Sequence, residues 1–483
     1  MAPKQESISA RVSDREDAML EALERQQKLT VNQWKIVSAA ILGDMLDFFD
    51  FFLIGYVLTF IVKEWHLSFM ESGVILLAAG LGAIPGAFFW GWMADRIGRR
   101  KVFIATALNF SLATGAMAFT PDQYGWLVLA FFRFLVGIGV AGLVAVDLPL
   151  VQEFVPSSKR GWIGGLVTST VSIGGALGAA CGAYLGPVIG WRGLFLVGLL
   201  PALFTLMIRA WVPESPRWLI QRGKRQEARR SIAWALQVDP ATIEMPAELP
   251  ELLHTPWRQL FNYPRSVLLV CLTGLSQTSG VGLALWAPTL LLLLLHISPA
   301  DASFLMIWVG LSAFVGRIFC AYLADAIGRR GSGFFACIGA VVTLLGAGYF
   351  SNLMIGTVSV FWLMLMAHSF FGGGSYAIIA PYMAEVWPTG LRASGMGLGY
   401  GVGNLGKIIS PLGLALIVGG SDFVKPAASV SAILPAMVFL AFWAALAALA
   451  FVILGIETKG RSIEDIDASL ARTAPAKVVA RSA

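Results

Sequence analysis

The sequence predicts an all-α, multi-pass membrane protein with twelve transmembrane helices in two pseudo-symmetric six-helix bundles. Three observations lead there. Of 483 residues, 57% are hydrophobic and 13% charged, about half the charge of an ordinary soluble domain. That charge is gathered at 1–35, 213–265, beyond Glu457 and in short turns, which leaves twelve apolar stretches of about 18–27 residues, each able to cross a hydrocarbon core about 30 Å thick. Finally, the turn Asp95-Arg96-Ile97-Gly98-Arg99-Arg100 returns as Asp325-Ala326-Ile327-Gly328-Arg329-Arg330, 230 residues on (325 − 95). Glu153-x-x-Pro156-x-x-x-Arg160 returns as Glu385-x-x-Pro388-x-x-x-Arg392 after 232 (385 − 153). Duplicated halves around a central site are a transporter design.

In chain order, residues 1–35 form a polar tail, whose stretch 8–30 fits a short charged amphipathic helix, either solvated or lying on a surface. No signal peptide is visible, because the first apolar stretch is too long for a signal core. The N-terminal bundle, 36–212, holds spans near 36–62, 72–94, 102–120, 125–152, 162–187 and 192–212. A cytoplasmic linker follows at 213–265, with helical periodicity over Arg217–Leu236 and breaks at Pro240, Pro246, Pro250 and Pro256. The C-terminal bundle, 266–456, holds spans near 266–295, 302–324, 332–350, 356–383, 393–418 and 430–455, and residues 457–483 form a second tail.

Basic residues orient the chain. Arg96, Arg99, Arg100, Lys101, Lys159, Arg160, the run Arg222–Arg230, Arg329, Arg330, Arg392, Lys459 and Arg461 share one side, against Lys63, Arg192 and Lys425 on the other. The positive-inside rule places both termini in the cytoplasm, which implies a plasma membrane protein (the inner membrane in a bacterium). The net charge of +6 thus reflects topology. Nucleic acid is excluded as a partner, since the basic residues are scattered over turns without interleaved aromatics. Cys181, Cys271, Cys320 and Cys337 sit inside spans, with no CxxC and no metal-ligand spacing, so neither a disulfide framework nor a metal or cofactor site is predicted.

Six spans, a linker and six spans, with the charged turn after the second span of each half, resemble the major facilitator superfamily from about residue 36 to 465. Arg133-Phe134-Leu135-x-Gly137-Ile138-Gly139, Pro213-Glu214-Ser215-Pro216-Arg217-Trp218-Leu219 and Glu457-Thr458-Lys459-Gly460-Arg461-Ser462 resemble its sugar-porter branch. The first span, Gly43-x-x-x-Asp47-Phe48-Phe49-Asp50-Phe51-Phe52-x-x-Gly55, resembles that of metabolite:proton and aromatic-acid:proton symporters instead. Span seven carries Ser276-Gln277-Thr278-Ser279-Gly280-Val281-Gly282, which lacks a Gln and an Asn that sugar porters would use on sugar hydroxyls. The resemblance therefore implies a metabolite carrier and argues against a sugar.

The repeated turns read as a cytoplasmic gate. Asp95 and Asp325 end a span, Gly98 and Gly328 allow a tight reversal, and Arg99, Arg100, Arg329 and Arg330 can reach Glu153, Glu385, Glu214 and Glu457. Arg160 and Arg392 complete the set. Arg–carboxylate pairs between the halves would hold the inner face shut; alternatively these residues set topology and tie the turns. Arg317 and Arg209, in the inner third of their spans, are read as snorkelling to the cytoplasmic network.

Polar groups at the midplane are costly and often functional. At 1.5 Å per residue, Asp50 lies about 22 Å from Lys35, Arg133 about 12 Å from Gly125, Gln277 and His368 about 18 Å from Arg265 and Gly356, and Lys407 about 22 Å from Arg392. These five fall in one layer, and the family resemblance implies that spans 1, 4, 7 and 10 line the cavity. Asp50 is the candidate proton carrier with Arg133 as partner and Asp47 one turn away; a static buried pair is the other reading. Lys407 fits a substrate carboxylate, or a lysine in a wet gap. His368 fits a ligand, a relay or a packing residue, and Trp286 and Tyr376 can stack on a planar substrate.

The function implied is proton-coupled uptake of a small organic metabolite, in particular a carboxylate such as an aromatic acid, by a carrier that works as a monomer. A sugar or polyol carrier and a drug or metabolite exporter are the alternatives. An enzyme is disfavoured, since no nucleophile–base pair, nucleotide loop or metal cluster is present, and a nutrient sensor would need a signalling domain that neither tail is long enough to be.

Overall fold

A computed structural model of the chain describes residues 23, 26–243, 257–388, 391–419, 426–459 and 461. Most of the amphipathic stretch 8–30, the prolines Pro246, Pro250 and Pro256, and nearly all of the C-terminal tail lie outside the described residues. Inside a bilayer every backbone N–H and C=O must be satisfied within the chain, and the described residues answer almost wholly with helices.

The first half contains α1 (Val31–Glu64), α2 (Phe69–Ile97), α3 (Arg99–Met117), α4 (Gly125–Gln152), α5 (Ser157–Ala180), α6 (Gly186–Val197) and α7 (Leu200–Trp211). Two short helices follow in the linker, α8 (Pro216–Gln221) and α9 (Arg225–Leu236). The second half contains α10 (Pro264–Leu295), α11 (Pro299–Ile327), α12 (Arg329–Tyr349), α13 (Val360–Glu385), α14 (Arg392–Gly403), α15 (Gly406–Val418) and α16 (Pro426–Ile453). The first two helix starts carry their own caps. Thr30 with Gln33 and Ser68 with Glu71 form capping boxes at α1 and α2, which supply partners to otherwise orphaned amide groups.

Among the described residues, ten stretches are long and apolar enough to cross a membrane. The chain is thus an all-helical integral membrane protein. Two features keep the number below twelve. α3 starts with Arg99, Arg100 and Lys101 and carries Asn109, Ser111 and Thr114, which lowers its mean hydropathy. The fifth and sixth predicted spans run together as one 44-residue stretch, Trp162–Thr205. It passes through a π-helical segment, Cys181–Leu185, and breaks at Gly190 (φ 66°), a left-handed conformation that glycine tolerates. The predicted span at 393–418 is likewise split, between α14 and α15. A two-stranded hairpin, β1 (Met354–Ile355) with β2 (Val358–Ser359), precedes α13 where the sequence reading began a helix at 356.

The helix contacts fall into matched sets. α2 packs along α4, α3 on α4 and α7, and α1 on α5. Correspondingly, α11 packs along α13, α12 on α13 and α16, and α10 on α14 and α15. The two sets meet where α5 crosses α11, where α2 crosses α15, and where α1 meets α10. Glycine makes the closest of these approaches possible. A Cβ on Gly86 would collide with the Ile138 carbonyl, and one on Gly316 with the Phe370 carbonyl. These two contacts are related by 230 and 232 residues (316 − 86 and 370 − 138), the same offsets as the repeated motifs.

A side chain at either site has no room to relax, because backbone faces it. Gly86→Leu and Gly316→Leu should each destabilise by about 1–3 kcal/mol or more, read as a fall in thermal unfolding temperature of the purified protein in detergent.

Candidate transport site

The residues predicted to form one midplane layer separate into two groups on either side of α1. At 100° per residue, Phe48, Phe52 and Tyr56 form one stripe of α1 and Asp47 and Asp50 another well round the helix, with Asp44 between the two. The aromatic stripe lines a cavity of about 170 Å³ between α1 and α5 on one side and α10, α11 and α13 on the other. Gln277, His368 and Tyr376 line this cavity. Gln277 Nε2 and His368 Nδ1 are buried there without a hydrogen-bond partner, an arrangement suited to a polar guest in a largely apolar chamber.

Trp286 and Lys407 do not line the cavity. Trp286 is nine residues after Gln277, which turns it to the opposite face of α10. There it is 2% exposed, its ring centroid lies 6.0 Å from that of Phe69, and Nε1 donates to the Pro411 carbonyl at 3.4 Å. It is a packing residue in this structure. Lys407 sits where α15 meets α2, with its Cβ close to Gly80, and its Nζ lies 5.8 Å from the centroid of the Phe51 ring. That position is on the acidic side of α1.

Arg317 occupies the place the sequence reading gave to Lys407. It lines the cavity, is 8% exposed, and is the one charged side chain among the described residues of the wall. Its Cζ lies 5.1 Å from the Tyr376 ring centroid, Nη1 donates to the Thr168 carbonyl on α5, and Nε has no partner. The expectation that it snorkels to the cytoplasmic surface is therefore corrected. Arg317 is ten residues from the end of α11, about 15 Å deep, and α5 packs over that face of α11. The signal available in the sequence was its setting: Gly310, Ala313 and Gly316 mark the close-packed side of α11, and a charge among small residues points into protein.

On the acidic side, Asp47, Asp50 and Arg133 are 0%, 1% and 0% exposed. Asp50 accepts a hydrogen bond from the Thr114 hydroxyl at 2.7 Å. Arg133 donates to the Phe51 carbonyl at 3.1 Å, with its Cζ 5.4 Å from the Phe51 ring centroid. Asp50 and Arg133 are within electrostatic reach but make no direct ion pair, contrary to the simplest sequence expectation. Asp50 points toward α3 and is held by Thr114, while Phe51 occupies Arg133. Both oxygens of Asp47 lack a hydrogen-bond partner, and Lys407 and Arg133 are its electrostatic neighbours.

At the inner surface the repeated motifs build two equivalent turns. Gly98 (φ 102°) and Gly328 (φ 91°) end α2 and α11 in the left-handed region, where a side chain would be strained. The Glu214 carboxylate then accepts from the Arg100 amide at 3.0 Å. Glu457 accepts from the Arg329 and Arg330 amides at 3.0 and 3.1 Å. Each glutamate thus supplies the missing acceptor and a favourable charge at a helix N-terminus. Arg99 pairs with Glu153, which also accepts from the Ser215 hydroxyl. Arg329 pairs with Glu385 at 3.3 Å and with Asp325 at 3.0 Å, and Glu385 accepts from the Thr458 hydroxyl. Arg160 donates to the Val155 carbonyl at 3.1 Å and Arg392 to the Trp387 carbonyl at 3.3 Å, each five residues back. The Asp95 carbonyl accepts from Trp218 at 2.9 Å and Arg222 at 3.0 Å, and Arg330 donates to the Phe451 and Val452 carbonyls.

The ion pairs of Arg99, Glu153, Arg329 and Glu385, and the caps made by Glu214 and Glu457, each stay inside their own half. The sequence reading expected such pairs to bridge the halves, and none of these pairs among the described residues does. The reason is geometric: the partner of each turn is the segment that follows the last helix of the same half, not the opposite bundle.

Residues 35–470 match the profile of the sugar (and other) transporter family. The chain belongs to this family, within the major facilitator superfamily. It is a transporter and not an enzyme. The niacin transporter NiaP of Acinetobacter baylyi is 32% identical to this family member over 88% of the chain and 94% of the relative. The 4-hydroxybenzoate transporter PcaK of Pseudomonas aeruginosa is 27% identical over 84% and 90%. The partially occluded inward-open structure of the xylose transporter XylE from E. coli superimposes with a TM-score of 0.71, at 20% identity over 90% of this chain and 100% of that one, which establishes the fold.

One inner turn has a pH signature. Partial burial raises the Glu457 carboxyl, but the amides of Lys459, Arg329, Arg330 and Thr458 outweigh that and hold it below its ordinary range. A carboxyl lowered by folding contributes stability above its unfolded value and loses that contribution as pH falls through the folded one. Acidification below the ordinary value of 4.5 should therefore loosen this turn. Glu457→Gln should flatten that part of the stability–pH curve, with a loss at neutral pH of about 1 kcal/mol or less after solvent screening.

Proposed function

We propose that the chain is a twelve-span secondary active transporter that takes up a small organic acid together with protons by alternating access. Its two six-span halves, 36–212 and 266–456, would rock about the cavity as a monomer in the plasma membrane (inner membrane in a bacterium), with both termini and the 213–265 linker cytoplasmic. The observation that carries this reading is Arg317: a cation whose Nε has no partner, over Tyr376, with no other charged side chain among the described lining of the chamber. A planar monocarboxylate meets all of these requirements, with its carboxylate on the guanidinium, its ring between Phe52 and Tyr376, and a further polar atom toward Gln277 or His368.

Relatives named for niacin, cis,cis-muconate, benzoate and 4-hydroxybenzoate transport support the acid over a sugar. So does the wall itself, which has few side-chain amides to receive a ring of hydroxyls. Asp50 is the leading proton carrier, with Arg133 and Asp47 as its electrostatic partners. Its distance from the cavity, across α1, means that it acts on the conformational equilibrium and not on the substrate directly.

Uptake into proteoliposomes decides the substrate class. Labelled nicotinate, benzoate and 4-hydroxybenzoate should accumulate under an inward proton gradient, and xylose should not; accumulation of xylose alone would overturn the assignment. Arg317→Gln should weaken acid binding about 10- to 100-fold, the worth of a hydrogen bond to a charged group. Asp50→Asn should abolish stimulation by the gradient while sparing substrate exchange, and an unchanged gradient dependence would remove Asp50 from the coupling.

A further inference from the structure

The two halves meet along a seam in which α5 and the π-helical segment beyond it run against α11. Ser303, Gly310 and Arg317 lie seven residues apart on α11 (310 − 303 and 317 − 310), so they share one stripe of that helix. Each has a partner in the first half. A Cβ on Gly182 would lie 2.8 Å from the Ser303 hydroxyl oxygen, and one on Gly310 would lie 3.0 Å from the Ala176 Cβ. At the third position a charge replaces the small residues, and Arg317 Nη1 donates to the Thr168 carbonyl.

These contacts differ in depth. Counted at 1.5 Å per residue back from Ile327, beside the charged turn, Arg317 lies about 15 Å deep, Gly310 about 26 Å and Ser303 about 36 Å. Other close approaches between the halves are also remote from the turns. Gly73 faces Ala415, Gly80 faces Lys407, and Gly55 faces the Leu285 carbonyl. Counted from Ile97 and Val31 in the same way, these glycines lie about 26–36 Å deep. Glycine packing thus joins the halves far from the turns, and Arg317 joins them at the inner end of the cavity.

The guanidinium is committed on one side only. It presents its N–H donors along fixed edges. Nη1 is taken by Thr168, whereas Nε, which forms the side-on edge together with Nη2, has no partner. The side chain also lines the cavity. A carboxylate bonding along the Nε–Nη2 edge, in the bidentate manner, leaves the Thr168 bond in place. One side chain can then hold the substrate and the opposite half together. Both bonds need the same ordered rotamer, so the entropy of fixing it is lost once and each bond favours the other.

We infer that Arg317 is a tie between the halves at the inner end of the cavity, and that a substrate carboxylate on its free edge tightens the tie, so that loading the cavity closes that end. By linkage, closing raises affinity by the factor by which the anion favours closing. The tie stands on the Thr168 bond alone; its tightening rests on the organic-acid reading above.

Spin-label distances in the full chain, reconstituted in lipid, test both parts. Gly165 on α5 and Gly331 on α12 lie near the charged turns of opposite halves. A Cβ at Gly165 meets nothing within 4 Å, and one at Gly331 meets only Ile327, at 3.5 Å or more. Labels on Gly165→Cys and Gly331→Cys, with Cys181, Cys271, Cys320 and Cys337 replaced by alanine, read the separation there. Without substrate, Arg317→Met should move the equilibrium toward the longer separation by about tenfold or more, as loss of a charged donor's hydrogen bond implies. An unchanged distribution overturns the tie. Saturating benzoate should move the parent toward the shorter separation by about fivefold or more, and Arg317→Lys, a charge without the fork, should lose that response. A parent that binds benzoate without this shift, or shifts the other way, overturns the tightening, as does a parent-like response in Arg317→Lys. A reciprocal measurement needs no change at Arg317, should those variants fold poorly. Joining the two cysteines with a short bifunctional maleimide should raise benzoate affinity by the same factor, and unchanged affinity overturns the coupling. Failure of the parent to bind benzoate, nicotinate or 4-hydroxybenzoate overturns the acid reading and the tightening with it, while the substrate-free comparison still decides the tie.

Discussion

The energetic cost of a charge in hydrocarbon orders this molecule. An ionised side chain within the bilayer is stable only when paired, hydrogen-bonded or opposite a wet cavity, and several charged groups of the described spans have such a setting, while Asp47 keeps both oxygens without a hydrogen-bond partner. Asp50 has Thr114, and Arg133 has the Phe51 carbonyl and ring. Arg317 has the Thr168 carbonyl and the Tyr376 ring but keeps Nε unused. That unused donor lies in a chamber with no other charged side chain among its described lining. The same cost works at the surface, where Glu214 and Glu457 are placed at helix N-termini that would otherwise expose unpaired amides.

α1 is the element on which the two kinds of chemistry divide. Its aromatic stripe and its acidic stripe are both read from one 34-residue helix, and they face different neighbours. Phe48, Phe52 and Tyr56 line the cavity, while Asp47 and Asp50 are turned away from it.

Much of the architecture was legible in the sequence, because bilayer thickness converts directly into apolar length and the duplicated turns carry an offset that also relates Gly86 to Gly316. The helix breaks at Gly190 and between α14 and α15 were not, since glycine-rich apolar stretches look alike whether continuous or broken. Depth along a helix was read well enough to find Gln277 and His368. Direction round the helix was the weak point. Trp286 and Gln277 share α10 but face opposite ways, and Lys407 lies at the right depth on the wrong side of α1. Arg317 was assigned to the surface because its distance from the helix end was weighed without the small residues beside it. Contacts between the halves could not be read at all: the motifs say which groups are charged, and only the packing says which turn each one closes.

Those closures have a bearing on how the chain is made. The turn between α2 and α3 is completed by Glu214 and Ser215, which leave the ribosome only after all the helices of the first half. The matching turn in the second half waits for Glu457 and Thr458, after the last helix. Each half is therefore fastened by its own final segment, as a box is by its lid flap. The first can be finished while the second is still being synthesised. A chain ended just after α16 would possess every membrane helix and still leave its second half unfastened.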